Sequence, residues 1–158
     1  MRSSRLILGV SALVAVALAI PALSAAGKNT VEVTAKLKGN NEVPGPGDNK
    51  GKGEAQIFLK AKKQKVCFNL EISKLDGASA AHIHKGAPDV AGPIKVLLFE
   101  ADPPVAGDGT YEGCTKNVKK KLVKKIGKRP EKFYVNVHNA EYPDGAIRGQ
   151  LEATGVVG

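Results

Sequence analysis

Tryptophan is absent from the 158 residues, and aromatic rings of any kind are few: four Phe and three Tyr. A chain this poor in rings offers no platform on which nucleobases stack between cations, so no nucleic-acid partner is expected despite the formal charge of +9. Cysteine is scarcer still, with Cys67 and Cys114 alone. Catalytic spacings are missing as well. There is no Gly-x-Ser-x-Gly turn and no phosphate-binding glycine loop, and nothing marks a pair of carboxylates. No catalytic residue is therefore assigned.

Long apolar runs are also lacking, with one exception. Arg2 and Arg5 precede Leu6–Ile20, fifteen uncharged and mostly apolar residues, and Pro21 then leads into the small residues Ala22, Ser24, Ala25 and Ala26. A charged start, an apolar middle and a small-residue cleavage region are the three parts of a secretory signal peptide. An uncleaved anchor would want about 20 apolar residues. The expectation is a signal peptide over residues 1–26 and a secreted or cell-surface protein made of residues 27–158. That length suits one domain with a core. No second such run follows, so no transmembrane segment is expected after cleavage.

Export changes the meaning of the two cysteines. In an oxidising compartment an even pair reads as a disulfide, the alternative being two free thiols. In Val66-Cys67-Phe68-Asn69-Leu70-Glu71-Ile72 the apolar residues hold the even positions, which puts Cys67 on the other face with Asn69 and Glu71. Cys114 likewise alternates with Glu112 and Lys116. The Cys67–Cys114 bridge is thus expected on the outer side of a sheet.

What the chain does contain is short alternating segments between turn residues. Strands are expected at 31–37, 55–60, 66–72, 80–84, 94–99, 110–118, 133–138 and 146–152. Loops are expected at 39–50, 85–93 and 100–109, the last on account of Pro103 and Pro104. Leu122, Val123 and Ile126 are spaced for one short amphipathic helix near 119–127, ending at Gly127. About eight strands at this spacing predict an all-β fold, an immunoglobulin-like or Greek-key sandwich or barrel.

Positive charge is concentrated at Lys119, Lys120, Lys121, Lys124, Lys125, Lys128 and Arg129. Such a run serves as a solvated face, or as an attachment to an anionic surface such as cell-wall polymer, phospholipid or acidic glycan.

The three histidines are His82, His84 and His138. In His82-Ile83-His84 two imidazoles share one face of a strand, because side chains two apart point the same way. His138 ends a strand whose outward positions are Tyr134 and Asn136, and the last strand turns Arg148 and Gln150 outward. If these strands are neighbours, all seven residues form one polar patch. Two readings follow. The patch is a hydrogen-bonded network that fixes loops over the sheet, with Arg148 as its central donor. Or His82, His84 and His138 hold copper or zinc with one position open.

Four stretches carry a family resemblance. They are Leu37-Lys38-Gly39-Asn40-Asn41-Glu42-Val43-Pro44, Ala81-His82-Ile83-His84-Lys85-Gly86, Tyr134-Val135-Asn136-Val137-His138-Asn139, and Pro143 through Leu151. In this order they resemble the CHRD domain, the repeat unit of chordin that also occurs singly in exported bacterial proteins. The resemblance spans about residues 31–152. It implies an all-β, immunoglobulin-like barrel and no established catalytic residue. In chordin the setting is extracellular binding of bone morphogenetic proteins, so an extracellular protein is a partner class the resemblance raises, though a single domain gives no reason to expect that ligand. The chain is also loosely similar to Cu/Zn superoxide dismutase, a β-barrel with a His-x-His pair. With three histidines it departs from that enzyme's two-metal ligand set.

Overall fold

The computed structural model describes residues 29–105 and 108–154. The signal peptide expected over residues 1–26 lies outside them, as do the last four residues.

Alternation dictates the strands. In β1 (Val31–Lys38) Val33, Ala35 and Leu37 are buried while Lys36 and Lys38 are exposed. β2 (Lys52–Lys60) buries Ala55, Ile57 and Leu59, and β3 (Lys65–Ser73) buries Val66, Phe68, Leu70 and Ile72. The chain continues through β4 (Ala78–Lys85), β5 (Ile94–Val105), β6 (Gly109–Thr115), helix α1 (Lys120–Lys128), β7 (Phe133–His138), β8 (Ile147–Gln150) and the two-residue β9 (Glu152–Ala153).

All pairings are antiparallel, in the order β5-β4-β7-β8-β1-β2-β3-β6, with β9 also on β1. The two ends of this path approach each other, so the sheet nearly closes into a barrel. Phe99 of β5 stacks on Tyr111 of β6 at 5.6 Å between ring centroids, and the Thr115 hydroxyl donates to the Leu97 carbonyl. The core fills the inside, and α1 closes one end by burying Val123 and Ile126. No helix among the described residues is long and apolar enough to cross a membrane.

Cys67 and Cys114 stand directly opposite one another on β3 and β6 and form a disulfide. Val66 and Phe68, on either side of Cys67, face the core, as the alternation predicts for an outer-face bridge.

Two local expectations are corrected. The segment 100–105, expected as loop, prolongs β5 through Pro103 and Pro104. Proline removes a donor, but β5 ends the path and pairs only with β4, so an edge position tolerates it. Helix α1 also does not stop at Gly127 but runs through it to Lys128. There the glycine serves close packing. A β-carbon on Gly127 would meet Val31 Cγ1 at 3.3 Å and Leu59 Cδ1 at 3.4 Å.

Candidate metal centre

The strand order brings β4, β7 and β8 side by side, which is the adjacency the polar patch required. Register aligns the outward residues in rows: His84, Tyr134 and Gln150 in one, His82, Asn136 and Arg148 in the next. His138 stands opposite Ala80 at the end of β7.

The patch lies on the outside of the barrel, yet it is not open to solvent as an outward face would be. Tyr134, Asn136 and His84 are buried, and Arg148 is 1% exposed. Two loops cover it. Residues 39–51 cross β8, held by the Asn41 side-chain amide on the Arg148 carbonyl (3.0 Å) and the Asp48 N–H on the Ala146 carbonyl (2.9 Å). Residues 86–93 lie over Tyr134 and His84. Arg148 Nη2 donates to the carbonyls of Ala87 (2.7 Å) and Val90 (3.0 Å), and Gln150 Nε2 donates to that of Gly86 (2.8 Å). The Tyr134 hydroxyl accepts from the Gly92 N–H at 3.0 Å.

Inside this frame the three histidines converge. Each offers a ring nitrogen, and the three lie within 4.8 Å of one another. His84 Nδ1 is 2.8 Å from the Gly92 carbonyl and His138 Nδ1 is 3.0 Å from the Pro143 carbonyl. A carbonyl oxygen only accepts, so both Nδ1 atoms carry the proton and both Nε2 atoms keep a lone pair. Those two Nε2 atoms, and Nδ1 of His82, are buried without a hydrogen-bond partner among the described residues.

Burial disfavours the charged form of all three rings. Burial pushes His82 down to about 4, helped by the neighbouring His138 and His84. Burial likewise holds His84 and His138 below the ordinary imidazole range, against the opposing effect of their carbonyl bonds. Three imidazoles that burial disfavours from protonating, with ligand atoms this close and two Nε2 lone pairs unengaged, are a candidate ligand set for a cation.

One member of the site carried no role in the sequence reading. Glu42, in the motif Leu37–Pro44, is 6% exposed and accepts from the Asn136 amide at 3.3 Å. Burial pushes its carboxyl up to about 7, although Arg148 and the Asn136 bond pull the other way. Gly145 makes its room. With φ at +151°, a conformation side chains rarely adopt, it leaves open the space where a β-carbon would sit 2.5 Å from Glu42 Oε2. A glutamate at the start of a loop gives no periodic signal, so only its folded surroundings reveal its place.

The remaining candidates lie apart from this centre. Lys119, Lys120, Lys121, Lys124, Lys125 and Lys128 are exposed on and beside α1, and Arg129 pairs with Glu131 at 2.7 Å.

An antiparallel, nearly closed barrel with a covered polar wall defines an all-β domain, and its three convergent histidines are a candidate cation site. The CHRD domain matches residues 33–151, most of the chain, and the protein belongs to that family. No curated protein and no solved structure matches it.

Proposed function

We propose that this CHRD domain is a binding module that holds one copper or zinc ion through His82, His84 and His138. The observation that carries the reading is the pairing of two facts about the same rings. Their ligand atoms lie within 4.8 Å, and two of the three have their tautomer set by a backbone carbonyl. Nitrogens bound at about 2.0–2.1 Å around a tetrahedral ion are about 3.3 Å apart, so small side-chain rotations bring the three into range. A carbonyl accepting the second ring N–H is also the usual support for a ligating histidine. Three imidazoles leave a fourth position open, and imidazole suits both metals.

The polar residues divide between the two readings of the patch. Tyr134, Arg148 and Gln150 spend their bonds on the backbone of the covering loop, while each imidazole keeps one ring nitrogen without a partner. The network therefore supports the site instead of competing with it. Export to an oxidising compartment is part of the proposal, supported by the signal-like residues 1–26 and by a disulfide that such a compartment sustains.

The experiment is metal content and affinity of untagged protein, measured by competition with a chromophoric chelator. One equivalent of copper or zinc is expected, falling at least about a hundredfold in affinity in His138→Ala. Thermal melting of the metal-free variant should match that of metal-free wild type. Equal metal retention by wild type and His138→Ala would sink the proposal.

A further inference from the structure

The α1 end of the barrel carries charge that neither the fold nor the metal site uses. Lys120, Lys121, Lys124, Lys125 and Lys128 are all exposed, while the apolar residues of the helix face the core. The β2–β3 turn packs against α1, and the Val118 N–H donates to the Gln64 carbonyl (2.9 Å) to join the two. That turn adds exposed Lys62 and Lys63. Helix and turn make one cationic face. Its acid Glu131 is engaged with Arg129, and among the described residues no α1 lysine has a carboxylate within ion-pair distance. At the far ends of β2 and β3, by contrast, Lys50, Lys52 and Lys74 stand among four acids.

These lysines also work against their own helix. Lys120 and Lys121 occupy the first turn, where the helix dipole favours anions, and no side chain caps that end. Lys120 and Lys124, Lys121 and Lys125, and Lys124 and Lys128 are like-charge pairs at i, i+4 spacing, each mildly destabilising. A face needed only for solubility is served equally by mixed signs.

We infer that the face formed by α1 and the β2–β3 turn docks on an anionic phospholipid surface. Lysines present point charges on flexible stems and lack the planar fork of arginine, which suits mobile headgroups better than one fixed anion. The face comes from an exposed helix and a turn tip, a convex pairing that suits a broad surface. With Val123 and Ile126 buried, contact is electrostatic and peripheral, without insertion of apolar side chains. Docking relieves the repulsion along the helix.

The test uses the full chain and a Lys120→Glu/Lys121→Glu variant with the same N-terminus. Glutamates there suit the dipole and pair with Lys124 and Lys125, so the variant should melt no lower than wild type. Both are sedimented with phosphatidylglycerol and with phosphatidylcholine vesicles. Wild type should bind the anionic vesicles, at least about tenfold more weakly when salt rises from about 0.05 M to about 0.5 M. The variant should bind at least about tenfold more weakly at low salt. Equal binding to both lipids, or undiminished binding by the variant, overturns the inference. So does retention on soluble polyphosphate without retention on phosphatidylglycerol, which would assign the face to a polymer. Should the variant melt lower, Lys120→Gln/Lys121→Gln gives the same reading without charge reversal.

Discussion

The guanidinium of Arg148 lies over the ring of Tyr134, with Cζ 3.5 Å from the ring centroid. The same tyrosine stacks on His84 at 4.8 Å with the planes 15° apart. A cation from β8, a phenol from β7 and an imidazole from β4 thus form one packed series across three strands. Both ends of the series reach the loop 86–93, Arg148 through the carbonyls of Ala87 and Val90 and His84 through that of Gly92. The loop that fixes the tautomer of His84 is therefore itself fixed by Arg148. Stability of the covered wall and preparation of the imidazole are one arrangement.

Arg148→Lys tests that coupling. Lysine keeps the charge but loses the planar guanidinium and the paired reach to two carbonyls. Stability is expected to fall by about 2 kcal/mol, and amide exchange should quicken in residues 86–93. With Gly92 less firmly placed, metal affinity should drop about tenfold. Hydrogen exchange read by mass spectrometry, together with chelator competition, measures both. Fast exchange with unchanged affinity would separate the loop from the site.

The barrel was legible because alternation survives in almost every strand. The run 133–138 in particular keeps apolar Phe133, Val135 and Val137 on the core side and Tyr134, Asn136 and His138 on the other, and it forms β7 over those same residues. The facing of His82, His84 and Arg148 follows from the same two-residue period. Depth was not legible. A period of two says which side of a sheet a residue takes, not what lies on top of that side. The loops that bury Arg148 and Glu42 are irregular, rich in Gly and Pro, and their path depends on contacts as distant in sequence as Asn41 with Arg148. The extension of β5 through Pro103 and Pro104 was hidden for a related reason. Whether proline is tolerated depends on a strand being at the edge, and the edge is a property of the whole sheet.

Acid should act on the metal-free protein through two opposed groups. His82 titrates near 4 when folded and near 6.5 when unfolded. The unfolded chain therefore binds more protons between these values, and stability present above about 6.5 is lost as pH falls toward 4. His84 and His138 shift in the same direction. Glu42 does the reverse. Its folded carboxyl is raised from 4.5 to about 7, so its ionisation opposes folding above pH 7, and that opposition fades as pH falls toward 4.5. Glu42→Gln removes the second effect alone. The variant is expected to gain about 2 kcal/mol at about pH 8 and to lose stability more steeply toward pH 5 than wild type. Urea denaturation in the presence of a chelator, repeated across this range, measures it. A variant weaker than wild type at pH 8 would mean that Arg148 requires the Glu42 charge more than burial opposes it.

The Cys67–Cys114 bridge joins two strands that are already hydrogen-bonded, at a sequence separation of 47. A loop of that length corresponds to about 4 kcal/mol of chain entropy in the unfolded state, an upper figure where the unfolded chain keeps structure. β6 is the strand most dependent on it. On one side it pairs with β3, and on the other it meets β5 through Phe99, Tyr111 and the Thr115 hydroxyl, without a backbone ladder. Cys67→Ala/Cys114→Ala is therefore expected to lower stability by about 2 to 4 kcal/mol, with amide exchange rising first in residues 109–115. The histidines stand on β4 and β7, which are paired with each other and with β5 and β8, so metal affinity should stay within about twofold. Denaturation, exchange and chelator competition on the one variant test all three expectations. Loss of metal binding on removing the bridge would show that the seam between β5 and β6 holds the histidine wall in register, and that the barrel responds as one unit.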